Sequence, residues 1–326
     1  MTRSFKLTAA IFGSVALAVI GLSGGIHAEY PEKPIDFIIP FGAGGGADIE
    51  GRLLAAEMGK VLGVSFVPIN KVGGGGAVTY TYVKNAKPDG YTVGWNSTSV
   101  LTTTNIGNVD FKHDAMDHVG RVEWQPMPFA VKGDARWASF EDFVKECKGK
   151  PETLKVANSG TGSATHLAAI ALMDAAGCKV THLPVGIKRR NASVLSGEAD
   201  AMIAPLTGAV NLTKAGKLKL LAVPTEQRNP VIPDVPTAKE LGYNAVLDLF
   251  RGLSVPKGTP PEVKAKLADA MAKAAKSEAF MALAAKKGFT VDPIGSADFE
   301  SLLHVEDAKV KGIMDGAGLY QSKKSN

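Results

Sequence analysis

Twice in this chain an apolar run of strand length ends in a loop of very small residues and passes directly into a helical pattern. The first instance is Ile35-Asp36-Phe37-Ile38-Ile39, then a glycine loop, then residues 48–61 with Ile49, Leu53, Ala56 and Met58 at helical spacing. The second is Leu154-Lys155-Val156-Ala157, then Asn158 to Gly162, then a helix predicted over 163–176 and closed by Gly177. A strand that feeds a helix so promptly returns over its own sheet, so each instance predicts an open parallel sheet with helices on its faces. Strands at 65–69, 91–95, 179–183 and 201–203, with helices at 78–85, 139–148 and 192–196, extend both into α/β units. Late in the chain Thr259-Pro260-Pro261-Glu262 reads as a capping box ahead of a helix with Val263, Leu267, Ala270, Met271 and Ala274 on one face. No flexible linker divides the units, which implies two lobes joined by more than one crossing.

The N-terminus is a separate matter. Arg3 and Lys6 precede a mostly apolar stretch over 7–22, and small residues lead to Ile26-His27-Ala28. This is the pattern of a secretory signal cut near Ala28, and it predicts a soluble exported protein. The run is short for a spanning helix, glycines at 21, 24 and 25 interrupt it, and no Cys stands at the cut to carry a lipid. Removing 28 of 326 residues leaves 298 and takes away two of 37 basic residues, leaving 35 against 32 acidic, or +3. Those charges lie without blocks, so nucleic acid is not an expected partner. Cys147 and Cys178 could pair or remain as two buried thiols, since sequence gives no Cβ separation.

Chemistry concentrates in the two loops. Pro40-Phe41-Gly42-Ala43-Gly44-Gly45-Gly46-Ala47-Asp48 brings backbone close to a ligand at the positive end of a helix, which is the make-up of an anion site. Its glycines also satisfy a loose dinucleotide pattern, but the acid expected after the second strand is replaced by Asn70, and no P-loop Lys-Ser/Thr follows. Asn158-Ser159-Gly160-Thr161-Gly162-Ser163-Ala164-Thr165-His166 offers hydroxyls beside another helix start, with Ser163 as N-cap. Two such starts facing across a cleft would clamp a small acid from both sides. No nucleophile elbow, metal-ligand spacing or cofactor motif appears, so no catalytic residue, metal or cofactor is expected.

The ordered motifs Tyr30-Pro31-Glu32-Lys33-Pro34, Pro40-Phe41, Asn70-Lys71-Val72-Gly73, Pro88-Asp89-Gly90-Tyr91-Thr92, Gly160-Thr161-Gly162-Ser163, His182-Leu183-Pro184 and Pro233-Asp234-Val235-Pro236-Thr237 run the length of the chain. In these the sequence resembles the Bug (TctC-like) family, extracytoplasmic solute receptors of tripartite tricarboxylate transporters. The resemblance implies a type II periplasmic-binding-protein fold, two Rossmann-like α/β lobes joined by two crossing strands. The crossings are expected near 129–132 and 249–254, giving lobe 1 as 29–131 with 253–326 and lobe 2 as 132–252. It further implies a monomer that captures a small organic acid (a di- or tricarboxylate or an aromatic carboxylate) by lobe closure and delivers it to membrane permease subunits. Carried over, the site residues are Phe41, Gly42, Ala43, Gly44, Gly45, Gly46 and Ala47, with Asn96, Ser97 and Ser99, and with Ser159, Thr161, Ser163 and Thr165.

Two departures from the family pattern stand out. After His182-Leu183-Pro184 this chain reads Val185-Gly186-Ile187-Lys188-Arg189-Arg190, and where an acid often follows the strand ending the second unit it has Ala204-Pro205. Loss of that acid disfavours a ligand ammonium. Arg189 or Arg190 could supply a fork for a second carboxylate. The alternatives to transport are a hydrolase or isomerase on an α/β scaffold and a ligand sensor for a signalling kinase.

Overall fold

The computed structural model describes Met1 and residues 30–323; the expected signal segment lies outside the described residues apart from Met1. Strand β1 (Ile35–Ile39) pairs in parallel with β2 (Phe66–Asn70) and β3 (Thr92–Ser97), the return paths being α1 (Gly46–Leu62) and α2 (Ala77–Asn85). Ile35, Phe37, Ile38 and Ile39 are all fully buried, as expected of a parallel strand covered on both faces. After β3 the chain forms α3 (Ser99–Ile106) and then the long strand β4 (Met116–Gln125).

The second lobe begins with β5 (Phe129–Lys132) and α4 (Phe140–Gly149). It continues as β6 (Lys155–Asn158), α5 (Ala164–Ala175), β7 (Thr181–Pro184), α6 (Gly186–Ser196), β8 (Ala201–Ile203), α7 (Leu206–Lys214) and β9 (Leu218–Ala222). The chain then returns to the first lobe with β10 (Leu249–Pro256), α8 (Pro261–Ala275), α9 (Glu278–Lys287), β11 (Thr290–Gly295) and α10 (Ser296–Gly316).

The sheets run β11-β4-β10-β3-β1-β2 and β7-β6-β8-β5-β9. Apart from the extra β11, the two orders are the same arrangement: three parallel strands, an antiparallel strand beside the third, and one more outside it. In the first sheet the inserted strand is β10, which arrives from beyond the second lobe and seats between β3 and β4. Among the described residues no helix is long and apolar enough to cross a membrane.

Several local expectations are corrected. The segments expected as crossings are themselves sheet strands: Phe129–Lys132 pairs within the second sheet and Leu249–Pro256 within the first. The chain leaves the first sheet through 126–128, and after β9 it folds back on itself, Ala238 N donating to Val223 O at 2.8 Å and Leu247 N to Pro224 O at 3.0 Å, before it enters β10. Thr259 is not an N-cap, because its hydroxyl donates to Pro256 O at 2.8 Å; Pro260 holds that position, with Pro261 opening α8. A full capping box instead starts α4, where Ser139 and Asp142 bond reciprocally. The two cysteines are paired, Cys147 at the end of α4 with Cys178 ahead of β7, Cα to Cα 5.7 Å.

Candidate ligand-binding cleft

The glycine loop is a tight turn held from behind. Gly44 adopts φ +79°, a region that favours glycine, and its N–H donates to Asp48 Oδ2 at 2.9 Å. Asp48 Oδ1 accepts from Arg52 Nε and from Asn70 Nδ2, each at 2.8 Å, and Asn70 Nδ2 also donates to Phe41 O at 2.8 Å. Burial pushes the Asp48 carboxyl up, but the hydrogen bonds from Arg52, Asn70 and Gly44 outweigh it and hold the group below the ordinary aspartate range. The loop's own acid is thereby neutralised on its rear side. Gly45 is the N-cap of α1 and carries no capping side chain, so the first N–H groups of the helix, at Gly46 and Ala47, have no side-chain acceptor. Phe41, Gly42, Gly45 and Gly46 are half-buried, Ala43 and Gly44 exposed, and Ala47 is buried with its carbonyl accepting from Trp95 Nε1 at 3.0 Å. Trp95 is thus a core residue.

Asn96, Ser97 and Ser99 fall differently from expectation. They are buried inside the first lobe, because β3 lies between β1 and β10 and α3 covers its end. Asn96 Nδ2 donates to Ser254 Oγ, Ser97 and Ser99 share a hydroxyl contact at 2.9 Å, and Ser99 Oγ also bonds the Tyr80 hydroxyl. Their side chains serve the interior.

The second loop satisfies its own backbone. Ser159 N–H donates to Thr165 Oγ1 at 2.9 Å, Gly160 N–H to Asn158 Oδ1 at 2.9 Å, and Gly162 N–H to His166 Nδ1 at 3.0 Å. Ser163 caps α5 by accepting from His166 N at 3.2 Å, and Thr161 is exposed. Burial lowers the His166 pKa to about 4, with a further push from the His182 ring beside it, so it is a neutral acceptor here.

Beside this loop α6 places a full charge. The helix begins at Gly186, well before the predicted 192, and consecutive residues on a helix point about 100° apart. Arg189 therefore faces solvent and pairs with Glu198 at 2.8 Å, while Arg190 turns inward to 4% exposure. Arg190 Nη1 donates to Ser159 Oγ at 2.5 Å, and its Nε is buried without an acceptor. Among the described residues no carboxylate pairs with it. Burial alone lowers its pKa to about 10, so it stays cationic at neutral pH. A buried guanidinium without a counter-ion is costly. Asn158 Nδ2 and Thr207 Oγ1 are also buried and unpaired.

Helix α7 brings the two halves together. A Cβ built on Gly208 would lie 3.6 Å from Arg190 Nη2, and Asn191 Nδ2 donates to Gly208 O at 3.0 Å. The adjacent Thr207 reaches across the cleft: a Cβ built on Gly46 would meet Thr207 Cγ2 at 3.1 Å and Glu50 Oε1 at 3.3 Å. Arg190 and the start of α1 thus sit on either side of the first turn of α7. A second interlobe contact is Gly162, where a Cβ would collide with Ile106 Cδ1.

Behind Gly46 lies a polar cluster that sequence reading did not single out. Glu50 Oε1 accepts from Gln125 Nε2 at 3.0 Å, Arg251 Nε donates to Glu50 Oε2 at 2.5 Å, and Glu123 Oε1 lies 3.4 Å from Arg251 Nε. Glu50 and Glu123 are fully buried around one guanidinium. Burial first, then the Glu50 charge, raises the Glu123 carboxyl well above its ordinary value, so it keeps its proton. The cluster is then neutral and does not oppose an anion at α1. It draws on α1, β4 and β10, far apart in sequence, so no local signal could have revealed it.

A family model described as tripartite tricarboxylate transporter family receptor matches residues 51–319. The UPF0065 protein of the gbd 5' region of Cupriavidus necator is 28% identical over 316 residues, 95% of each chain. A TctC solute-binding protein from Polaromonas is 33% identical, covers 88% of this chain and 99% of its own, and superposes with a TM-score of 0.73. MatC from Rhodopseudomonas palustris, solved with bound malate, is 25% identical, with coverage of 87% and 99% and a TM-score of 0.80.

Proposed function

The chain belongs to the tripartite tricarboxylate transporter receptor family, and from that premise we propose that it captures a small organic anion with at least two carboxylates between its lobes. Family members are periplasmic solute-binding receptors and not enzymes. In this reading the chain is exported, its first 28 residues are removed, and it hands its ligand as a monomer to the membrane permease subunits. One carboxylate rests on the Phe41–Ala47 loop, where the free N–H groups and dipole of α1 favour negative charge. The second pairs with Arg190, whose planar fork suits a carboxylate better than an ammonium would. Arg189, held by Glu198, takes no part.

The observation that carries this reading is Arg190: a cation buried to 4% exposure, with a serine hydroxyl for a partner and an unpaired Nε. The absence of an acid at Ala204-Pro205 supports it from the other direction, since nothing there would hold a ligand ammonium. A thermal-shift screen of dicarboxylates, tricarboxylates, aromatic acids, amino acids and sugars tests it, with each hit recovered and analysed after incubation. Di- or tricarboxylates should raise Tm most and return unchanged. A sugar or zwitterionic amino acid that stabilises more than every diacid would sink the proposal, and a chemically altered hit would revive the enzyme reading.

A further inference from the structure

A third contact between the lobes lies beside the chain that leaves β4. Leu206 N–H donates to Pro126 O at 2.9 Å, which ties the start of α7 to that passage. The Leu206 side chain is fully buried and lies against Gly288 of the first lobe, where any Cβ would collide with it and press on Val231. Gly288 closes α9 at φ +81°, in the left-handed region, so the position demands glycine twice over. Beside these apolar groups runs one polar bond. Asn229 Nδ2 donates to Gly288 O at 3.0 Å, and Asn229 Oδ1 accepts from Val231 N at 2.9 Å. Asn229 is buried, and neither of these partners belongs to the proposed anion site.

The two ends of this bond are anchored to different lobes. Ile232 belongs to the apolar cluster of Leu206, Val210 and Leu218, and Tyr243 meets Phe140 edge-on at 5.5 Å, so the segment carrying Asn229 is fixed to the second lobe. Gly288 is fixed to the first: its N–H donates to Ala284 O at 2.7 Å, Phe289 is buried against Phe280, and Thr290 pairs with Trp124 of β4. Neither end can follow the other when the lobes part, and a hydrogen bond stretched to about 3.6 Å is no longer one. Resting on capture by lobe closure, we infer that Asn229 and Gly288 form a latch that favours the closed arrangement and sets ligand affinity without touching the ligand. A contact made only in the closed arrangement raises the fraction of receptor competent to hold ligand, and apparent affinity scales with that fraction. Its effect is therefore the same for every ligand, whereas a residue that touches ligand discriminates among them.

Two substitutions test the latch on the full mature protein. Asn229→Asp keeps the acceptor for Val231 N and sets an oxygen in place of the donor to Gly288 O. Asn229→Ser keeps a short acceptor and cannot span the gap, and it serves if the buried carboxylate prevents folding. Calorimetry with malate, citrate and adipate, which differ in length and in number of carboxylates, should show every acid that the parent binds weakened about three- to tenfold by one common factor. Stopped-flow mixing should place that loss in the dissociation rate, with association little changed. Affinities within about 1.5-fold of the parent in a folded variant overturn the latch, leave Asn229 a local turn residue and leave the dicarboxylate reading standing. A loss that differs more than about threefold among the acids also overturns it, because Asn229 would then touch the ligand. If no di- or tricarboxylate binds the parent, the dicarboxylate reading itself fails, and the latch falls with it.

Discussion

The loops that launch α1 and α5 follow the same pattern in sequence, strand then small residues then helix, yet in the proposed reading they would hold negative charge by different means. The first has no cation pointing forward: Asp48, Arg52 and Asn70 knit together behind it, and its attraction comes from backbone N–H groups at a helix start. The second spends the N–H groups of Ser159, Gly160 and Gly162 on Thr165, Asn158 and His166 and is faced by the guanidinium of Arg190 from another helix. A backbone site is made of shape and tolerates no added side chain. A guanidinium site is made of charge, and its burial weighs on the ligand-free protein.

The sharpest way to break the comparison is Gly45→Val. A Cβ there would meet Gly42 O at 3.4 Å, an ordinary contact, and Gly45 has φ −76°, so the variant should fold with Tm near that of the parent. Its larger side chain would stand where ligand meets backbone and should abolish measurable diacid binding. Calorimetry showing unchanged affinity in a folded variant would remove the loop from the site.

Arg190→Met should act with opposite signs on binding and stability. Loss of a charge-assisted contact worth roughly 1.5–3 kcal/mol should weaken diacid affinity by about 10- to 150-fold. The free protein should become more stable, because an unpaired buried charge is replaced by an apolar chain of similar length. A variant that loses stability together with less than twofold in affinity would make Arg190 a structural residue and return the second loop to a plain helix cap.

The smallest effect concerns the neutrality behind the glycine loop. Glu123 keeps its proton in the folded state, whereas the unfolded chain releases it at the ordinary glutamate value of about 4.3. Above that pH the unfolded state binds fewer protons than the folded one, so this group's contribution to stability falls as pH rises. Glu123→Gln mimics the protonated form and should gain Tm over the parent progressively from pH 5 to pH 8. A gap that stays constant over that range would mean that Glu123 is ionised and that the first loop faces an uncompensated acid.

Much of the architecture was legible because burial on two faces leaves a plain record. Strand β1 is nearly all apolar and α1 follows at helical spacing, and both stand close to where the periodicity puts them. Helix α3 was not legible: Thr102, Thr103 and Thr104 are β-branched and poor helix formers. It is held from outside, with Thr98 bonded to Phe250 and the chain end covering its last carbonyls through Gln321 N to Asn105 O at 2.8 Å and Lys323 N to Ile106 O at 3.0 Å. The basic cluster was visible as a departure, but which arginine turns inward depends on where α6 begins, and Gly186 gives little helical signal. The cysteine pair stayed open because a separation of 31 residues says nothing about distance in space. The Glu50–Glu123–Arg251 cluster was invisible for the same reason.

The seat of β10 between β3 and β4 sets a calendar for assembly. Every strand of the second sheet lies between residues 129 and 222, so that sheet has all its members as soon as α7 and β9 have been made. The first sheet, although begun earlier, has a gap at its centre until residue 249 arrives, and β3 and β4 have no direct partnership to fall back on. In a chain that is made from its N-terminus, the younger lobe closes before the older one. The older lobe, which carries the glycine loop, becomes whole only when the last quarter of the polypeptide has appeared.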